Sequence, residues 1–248
     1  MKAQDKTLVV TTTYYNPDVE SDVFRSNLAK RGIKSATDLG YKVIIVDNGS
    51  SNEFLKYIEN CGAILHQETK LSMGQQRRKV IQIATQSGGE IIAFTEPEKI
   101  DYISKIALTA SPIIEGLKDL IIPRRKSLRS YPKEQQYAEA VGNLLWKNLT
   151  GYDLDIWFGP RTWRKDVSRY FLGYDGSYGD KWESINIIPL LEAIVGEVRI
   201  GEINIDYTHP IEQTQYEECN QTYLLKRIEQ LHYLTRIMKE HWKKINTK

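Results

Sequence analysis

Cysteine is scarce in this 248-residue chain: Cys61 and Cys219 stand alone and far apart. Two distant thiols supply neither a disulfide framework nor a cysteine metal cluster, so both read as buried or incidental. A dominant charge is missing too. Lys plus Arg number 34 and Asp plus Glu 32, which excludes the chain-wide phosphate attraction of a nucleic-acid binder and leaves any basic surface local. No apolar run approaches the roughly eighteen residues that span a bilayer. The run in the N-terminal "MKAQDKTLVVTTTYYNP" is too short for a signal-peptide core and has no small-residue cleavage site. A cytoplasmic setting is expected, in which the Asn-x-Ser/Thr triplets at Asn48, Asn148 and Asn220 are chance. Neither an internal repeat nor a low-complexity linker divides the chain.

What is present is material for a core, 41% hydrophobic residues against 27% charged, laid out in alternation. "TLVVTTTYY" is β-branched and bounded by Asn16-Pro17, and "DVFRSNLAKRGIKSATDLG" has an apolar face at helical spacing and closes on Gly40. "YKVIIVDNGSS" then ends in a turn signal. "NEFLKYIENCG", "AILHQE", "MGQQRRKVIQIATQSGG" and "EIIAFTEPEK" continue as helix, strand, helix and strand. Such a βαβαβαβ series predicts an α/β fold with a mostly parallel sheet, right-handed crossovers and helices on both faces.

The polar residues gather at the C-terminal strand ends: Thr12, Thr13 and Tyr14, then Asp47, Gln67, and Glu96 with Glu98. In an open α/β sheet that edge binds ligands, because the helices that follow present free N–H groups and partial positive charge. After residue 119 come the strand "DLIIPRRK", a basic loop, the helix "YAEAVGNLLWKNLTG", and two loops, "DIWFGPRTWRKDV" and "LGYDGSYGDKWES". The helix "IIPLLEAIVGE", the strand "VRIGEINIDYTHP" and a final amphipathic helix complete the chain. The last helix carries a stripe of Leu224, Ile228, Leu231, Thr235, Met238, Trp242 and Ile245, expected to dock on the sheet domain or on a second subunit. Arg236, Lys239, Lys243, Lys244 and Lys248 suit its C-terminal end, which makes membrane contact the weaker reading.

Five ordered motifs, "YYNP", "VDNGSS", "MGQQRRKVIQIATQSGGEIIAFTEPEK", "WFGPRTWRKDV" and "GDKWE", closing on "INIDYTHP", resemble the GT-A fold of family-2 nucleotide-sugar glycosyltransferases over roughly residues 7 to 210. The resemblance implies a Rossmann-like domain over residues 1–222, its nucleotide-binding half near 1–110 and its acceptor half near 111–222, with the C-terminal helix at 223–248. It implies transfer of a sugar from a nucleoside-diphosphate sugar to a hydroxyl acceptor. Family members carry Asp-x-Asp, which holds Mg²⁺ or Mn²⁺ against the donor diphosphate. Here Glu96-Pro97-Glu98 matches it, with His209 matching a third ligand. The extra methylene of each glutamate moves its oxygens outward by about one C–C bond, and Lys99 is an ammonium able to replace or compete with the cation.

By the same resemblance Thr12, Thr13, Tyr14, Asp47, Gln67, Lys70, Gly74, Arg77 and Glu96 bind the nucleotide sugar, with Asn48 standing where the family has a second aspartate. Asp180, then Glu183, matches the base that deprotonates the acceptor in inverting members or orients it in retaining ones. Trp157, Gly159 and Trp182 match the acceptor region, although core packing competes for the tryptophans and helix capping for the acids. A sugar-phosphate nucleotidyltransferase would need a Gly- and cation-rich loop where "TTTYYNPD" stands. A non-catalytic binding module is the rival that the Glu-Pro-Glu and Asn48 departures favour.

Overall fold

The computed structural model describes residues 2–218 and 220–246, so Cys219 and Lys248 lie outside the described residues. Among the described residues seven strands are present: β1 (Thr7–Thr13), β2 (Lys42–Asp47), β3 (Ile64–Gln67), β4 (Ile91–Phe94), β5 (Leu120–Arg125), β6 (Arg161–Arg164) and β7 (Ile200–Ile205). In the first half the helices are α1 (Ala3–Lys6), α2 (Glu20–Asp38), α3 (Asn52–Asn60), α4 (Met73–Gln86), α5 (Ile100–Ile103) and α6 (Ile106–Ile114). Then come α7 (Lys133–Thr150), α8 (Ser168–Leu172), α9 (Glu183–Asn186), α10 (Ile188–Val195), α11 (Ile211–Glu217) and α12 (Gln221–Asn246). No helix among the described residues is long and apolar enough to cross a membrane.

The strands form one sheet in the order β3-β2-β1-β4-β6-β5-β7. Neighbours pair in parallel except β6, which runs antiparallel to both β4 and β5. The expected α/β class and mostly parallel sheet hold. The sequence pattern did not mark β6: its four residues follow Pro160 in a stretch read as loop, and a strand this short is specified by ladders on both sides, Ile92↔Trp163 and Leu120↔Trp163. Trp163 is fully buried there, its Nε1–H donating to Ser168 at 2.9 Å.

Period-2 alternation sends Val10, Ile44 and Ile92 to one face, against Ile81 of α4, Leu190 of α10 and Ile237 of α12. Val9, Ile45 and Ala93 face the other side, against Ala29 of α2 and Phe54 of α3. Each Val, Leu, Ile or Phe side chain removed from water in this way contributes about 1.5–3 kcal/mol. Helix starts are locally encoded: Ser72 and Gln75 close a capping box at α4, and Ser51 caps α3 through the Phe54 N–H at 3.3 Å.

Two expectations change in the second half. The "RRK" run is not a free basic loop, because Arg125 is buried in ion pairs with Asp155 at 2.8 Å and Glu139 at 2.7 Å, and Arg124 pairs with Asp153 and Glu202. In α12 the buried face runs through Leu234, Ile237, Met238 and His241, while Leu224 and Ile228 of the expected stripe are exposed. The C-terminal half of α12 therefore packs on its own chain.

Candidate functional site

A cleft of about 400 Å³ opens at the C-terminal edge of β1, β2 and β4. It gathers Thr12, Thr13 and Tyr14 from the end of β1, Asn48 after β2, Gln76 and Arg77 from α4, and Glu96, Pro97 and Glu98 after β4. The ladder holds this edge together past the strands: Thr95 N–H donates to the Val10 carbonyl at 3.2 Å and Asn48 N–H to that of Thr13 at 3.0 Å. Of the residues expected to bind a nucleotide sugar, Thr12, Thr13, Tyr14, Arg77 and Glu96 line the cleft. Asp47, Gln67, Lys70 and Gly74 do not.

Asp47 is buried and its carboxylate is fully engaged. It accepts from the Thr13 hydroxyl at 2.7 Å, from the Gly49 and Ser50 N–H groups at 2.8 Å each, and from the Ser50 hydroxyl at 2.5 Å. It shapes the turn that presents Asn48. Gln67 and Lys70 are exposed and do not line the cleft. Gly74 serves a close approach, since a Cβ there would run into the Asp180 carboxylate, and its N–H donates to the Asp180 carbonyl at 2.8 Å.

Arg77 is buried at the floor of the cleft. Its Nη1 donates to the Lys181 carbonyl at 3.0 Å and the Ser184 hydroxyl at 3.2 Å, its guanidinium lies 5.8 Å from the Phe94 ring centre, and its Nε has no partner. Glu96 reaches across to Gly159, where any Cβ would collide with its carboxylate, and its Oε2 is buried without a hydrogen-bond partner. Two residues that line the cleft thus each keep a buried polar atom without a partner. Left without a ligand, such atoms cost stability.

Glu98 behaves differently. Its Oε1 accepts from Arg25 Nη2 at 2.6 Å, and its side chain is only 6% exposed. Arg25, not singled out in the sequence, stands 5.7 Å over the Tyr15 ring and 3.7 Å from Asp22. Burial and the Glu98 carboxylate push the Tyr15 phenol well above its usual range. A signal for Arg25 does exist in the sequence: Arg25, Ala29 and Gly32 share one helical face, and Gly32 has no room for a Cβ against the Pro97 carbonyl. That face seats α2 on the Glu-Pro-Glu segment.

The expected three-ligand metal site is not assembled. Among the described residues no three His, Cys, Asp or Glu side chains are grouped to hold an ion. Glu98 is committed to Arg25, and His209 is buried, stacked on Tyr131 at 4.2 Å with both ring nitrogens unpartnered. Burial, then the Lys99, Arg227 and Arg125 charges, pull the His209 imidazole down to about 2. Lys99 Nζ lies 5.2 Å from the Tyr131 ring, 5.6 Å from Phe158 and 5.8 Å from Tyr207. Those cations oppose a divalent charge at His209, and with Glu98 paired to Arg25 the expected set of Glu96, Glu98 and His209 does not come together to fit one ion.

Neither expected acid lines the cleft. Asp180 has φ +62 and is held by Arg78 at 2.6 and 3.0 Å and by the Ser72 hydroxyl. Burial would raise its carboxyl, but Arg78 and Ser72 outweigh that and hold it below the usual range, the wrong direction for a base. Glu183 is fully buried and accepts from Tyr174 at 2.8 Å, Tyr233 at 2.9 Å and the Lys181 N–H at 3.0 Å. The pair organises the 174–184 loop over Arg77. Trp157 is pulled into the core against Gly142, and Trp182 packs edge-on to Tyr233 at 6.0 Å. Of the expected acceptor residues, only Gly159 meets the cleft, through Glu96.

No family model and no curated protein matches this sequence. Solved structures do resemble it. Glucosyl-3-phosphoglycerate synthase from Mycobacterium tuberculosis with phosphoglyceric acid is 15% identical, with a TM-score of 0.60 over 91% of this chain and 81% of that one. The fold is GT-A-like. The same enzyme with UDP gives 15% identity and a TM-score of 0.59, again over 91% and 81%. Its complex with Mn²⁺, UDP and phosphoglyceric acid gives 14% and 0.54, over 92% and 80%.

Proposed function

We propose that the chain is a glycosyltransferase that moves a sugar from a nucleoside-diphosphate sugar to a hydroxyl acceptor. The observation that carries this is the cleft at the C-terminal sheet edge of a GT-A-like fold, lined by Arg77 and Glu96, each of which keeps a buried polar atom, Nε and Oε2, without a hydrogen-bond partner. Support for the donor comes from the neighbours, whose complexes contain UDP and UDP-glucose.

In this reading Tyr14, 52% exposed at the mouth, stacks on the base, and Thr12 hydrogen-bonds the nucleoside. Arg77 donates to the diphosphate and stabilises the charge that develops as the nucleoside diphosphate departs. Its tether to Lys181 and Ser184 couples donor binding to the 174–184 loop, on the acceptor side. Glu96, beside Gly159, accepts the hydrogen bond or proton of the incoming hydroxyl. In the complexes of the fold neighbours the donor is accompanied by Mn²⁺. No step here is assigned to a metal, because the donor set does not fit one.

The test is release of nucleoside diphosphate from UDP- and GDP-sugars by the purified protein. Glu96→Gln is expected to cut turnover at least a hundredfold with the melting temperature unchanged. Turnover within threefold of the parent would remove Glu96 from the reaction. Binding without turnover would favour the non-catalytic module, which the internal bonding of Asp180 and Glu183 supports.

A further inference from the structure

Resting on the nucleotide-sugar reading, we infer that this site holds the diphosphate of a nucleoside diphosphate through the Arg25 guanidinium, oriented by Glu98, in place of a divalent cation. Glu98 occupies the position from which a metal ligand is expected, yet its carboxylate already has a counter-ion at 2.6 Å. For a metal to take Glu98, Arg25 would have to leave, and a part-buried guanidinium would lose its partner.

The arrangement is built into the backbone. Gly32 lets the Pro97 carbonyl approach α2 more closely than any side chain allows, and Arg25 lies two turns earlier on the same face. Asp22 at 3.7 Å and the Tyr15 ring beneath the guanidinium complete its seat. Arg25 also lines the cleft, and its side chain keeps 37% of its exposure. A guanidinium has five N–H donors, so one bond to Glu98 leaves others for phosphate oxygens. Arg77, with its unpartnered Nε, is the second cation of the same cleft. Two guanidinium groups supply the two positive charges that a divalent ion would bring. Glu98 is then a positioning residue acting through Arg25.

Calorimetric titration of UDP and of GDP, first in EDTA and then in Mn²⁺, tests this. The parent protein is expected to bind one of them in EDTA within threefold of its affinity in Mn²⁺. Arg25→Met should weaken binding in EDTA at least tenfold, and Arg25→Lys should recover part of that loss. Glu98→Gln should weaken it by a smaller factor and show no dependence on Mn²⁺. If Arg25→Met melts at a lower temperature, the parent's metal dependence and Arg25→Lys decide the matter. A parent affinity that rises tenfold or more with Mn²⁺, with the gain lost in Glu98→Gln, overturns the inference and leaves the transferase reading intact. Failure to bind either nucleotide under both conditions overturns both.

Discussion

Replacing Gly32 by Ala probes the contact that sets Arg25 and Glu98 together. The new methyl would stand about 1 Å inside the 3.0 Å limit that real Cβ atoms keep, and what it meets is the Pro97 carbonyl, which is backbone and cannot swing aside. Alanine favours the helix over glycine by about 1 kcal/mol. Overpacking a tight contact costs about 1–3 kcal/mol, so α2 must move off the Glu-Pro-Glu segment or the segment must shift. The net expectation is a loss of up to about 2 kcal/mol, which for a chain of this size lowers Tm by up to roughly 8 °C. Movement of α2 also stretches the 2.6 Å Arg25–Glu98 pair, so nucleotide affinity should fall with stability. Scanning calorimetry and nucleotide titration of the same preparation provide both readings. A variant that melts at or above the parent temperature with unchanged affinity refutes the close approach as the device that positions Arg25.

Gly159→Ala meets a movable partner, the Glu96 carboxylate, so stability should change by less than about 1 kcal/mol while donor turnover falls roughly a hundredfold, the scale of a 1 Å misplacement. Equal losses in both would mean that Gly159 is only a packing residue. For Lys226, burial, then Arg227 and Arg25, pull the ammonium from 10.5 down to about 8. Between those values the unfolded chain binds a proton that the folded one does not, so stability rises with pH across the window. Lys226→Met should remove that rise and stabilise the protein at pH 7 by on the order of 1–2 kcal/mol, allowing for solvent screening; parallel denaturant curves from pH 7 to 10.5 check it, and an unaltered slope rejects it. His209 runs from 6.5 down to about 2. Below pH 6.5 the unfolded chain takes up the proton first, and stability falls by up to about 1.4 kcal/mol per pH unit. His209→Phe, which keeps a ring on Tyr131, should shift the acid-unfolding midpoint followed by circular dichroism to lower pH. An unmoved midpoint would show that His209 is not the group responsible.

Much of the first half was legible because its signals are local. β-Branched runs, the Ser72 capping box and the Asp47-Asn48-Gly49 turn each act over a few neighbouring residues, and the alternation of strand and helix dictates a parallel sheet. The strand-end rule brings Thr12, Thr13, Tyr14, Asp47, Gln67, Glu96 and Glu98 to one edge, and all but Asp47 and Gln67 line the cleft there; Arg77 was marked by the resemblance alone. What the sequence by itself determined was therefore the fold class and the edge at which the cleft opens. The tertiary structure decided which of those side chains are free. Asp180 is taken by Arg78, 102 positions away in the chain. Glu98 is taken by Arg25, 73 positions away, while Trp157 is drawn beneath Gly142 and β6 is created by partners on both sides. Chemical type can be read residue by residue, but the availability of a charge depends on what packing brings within about 3 Å of it, and that is a property of the folded chain.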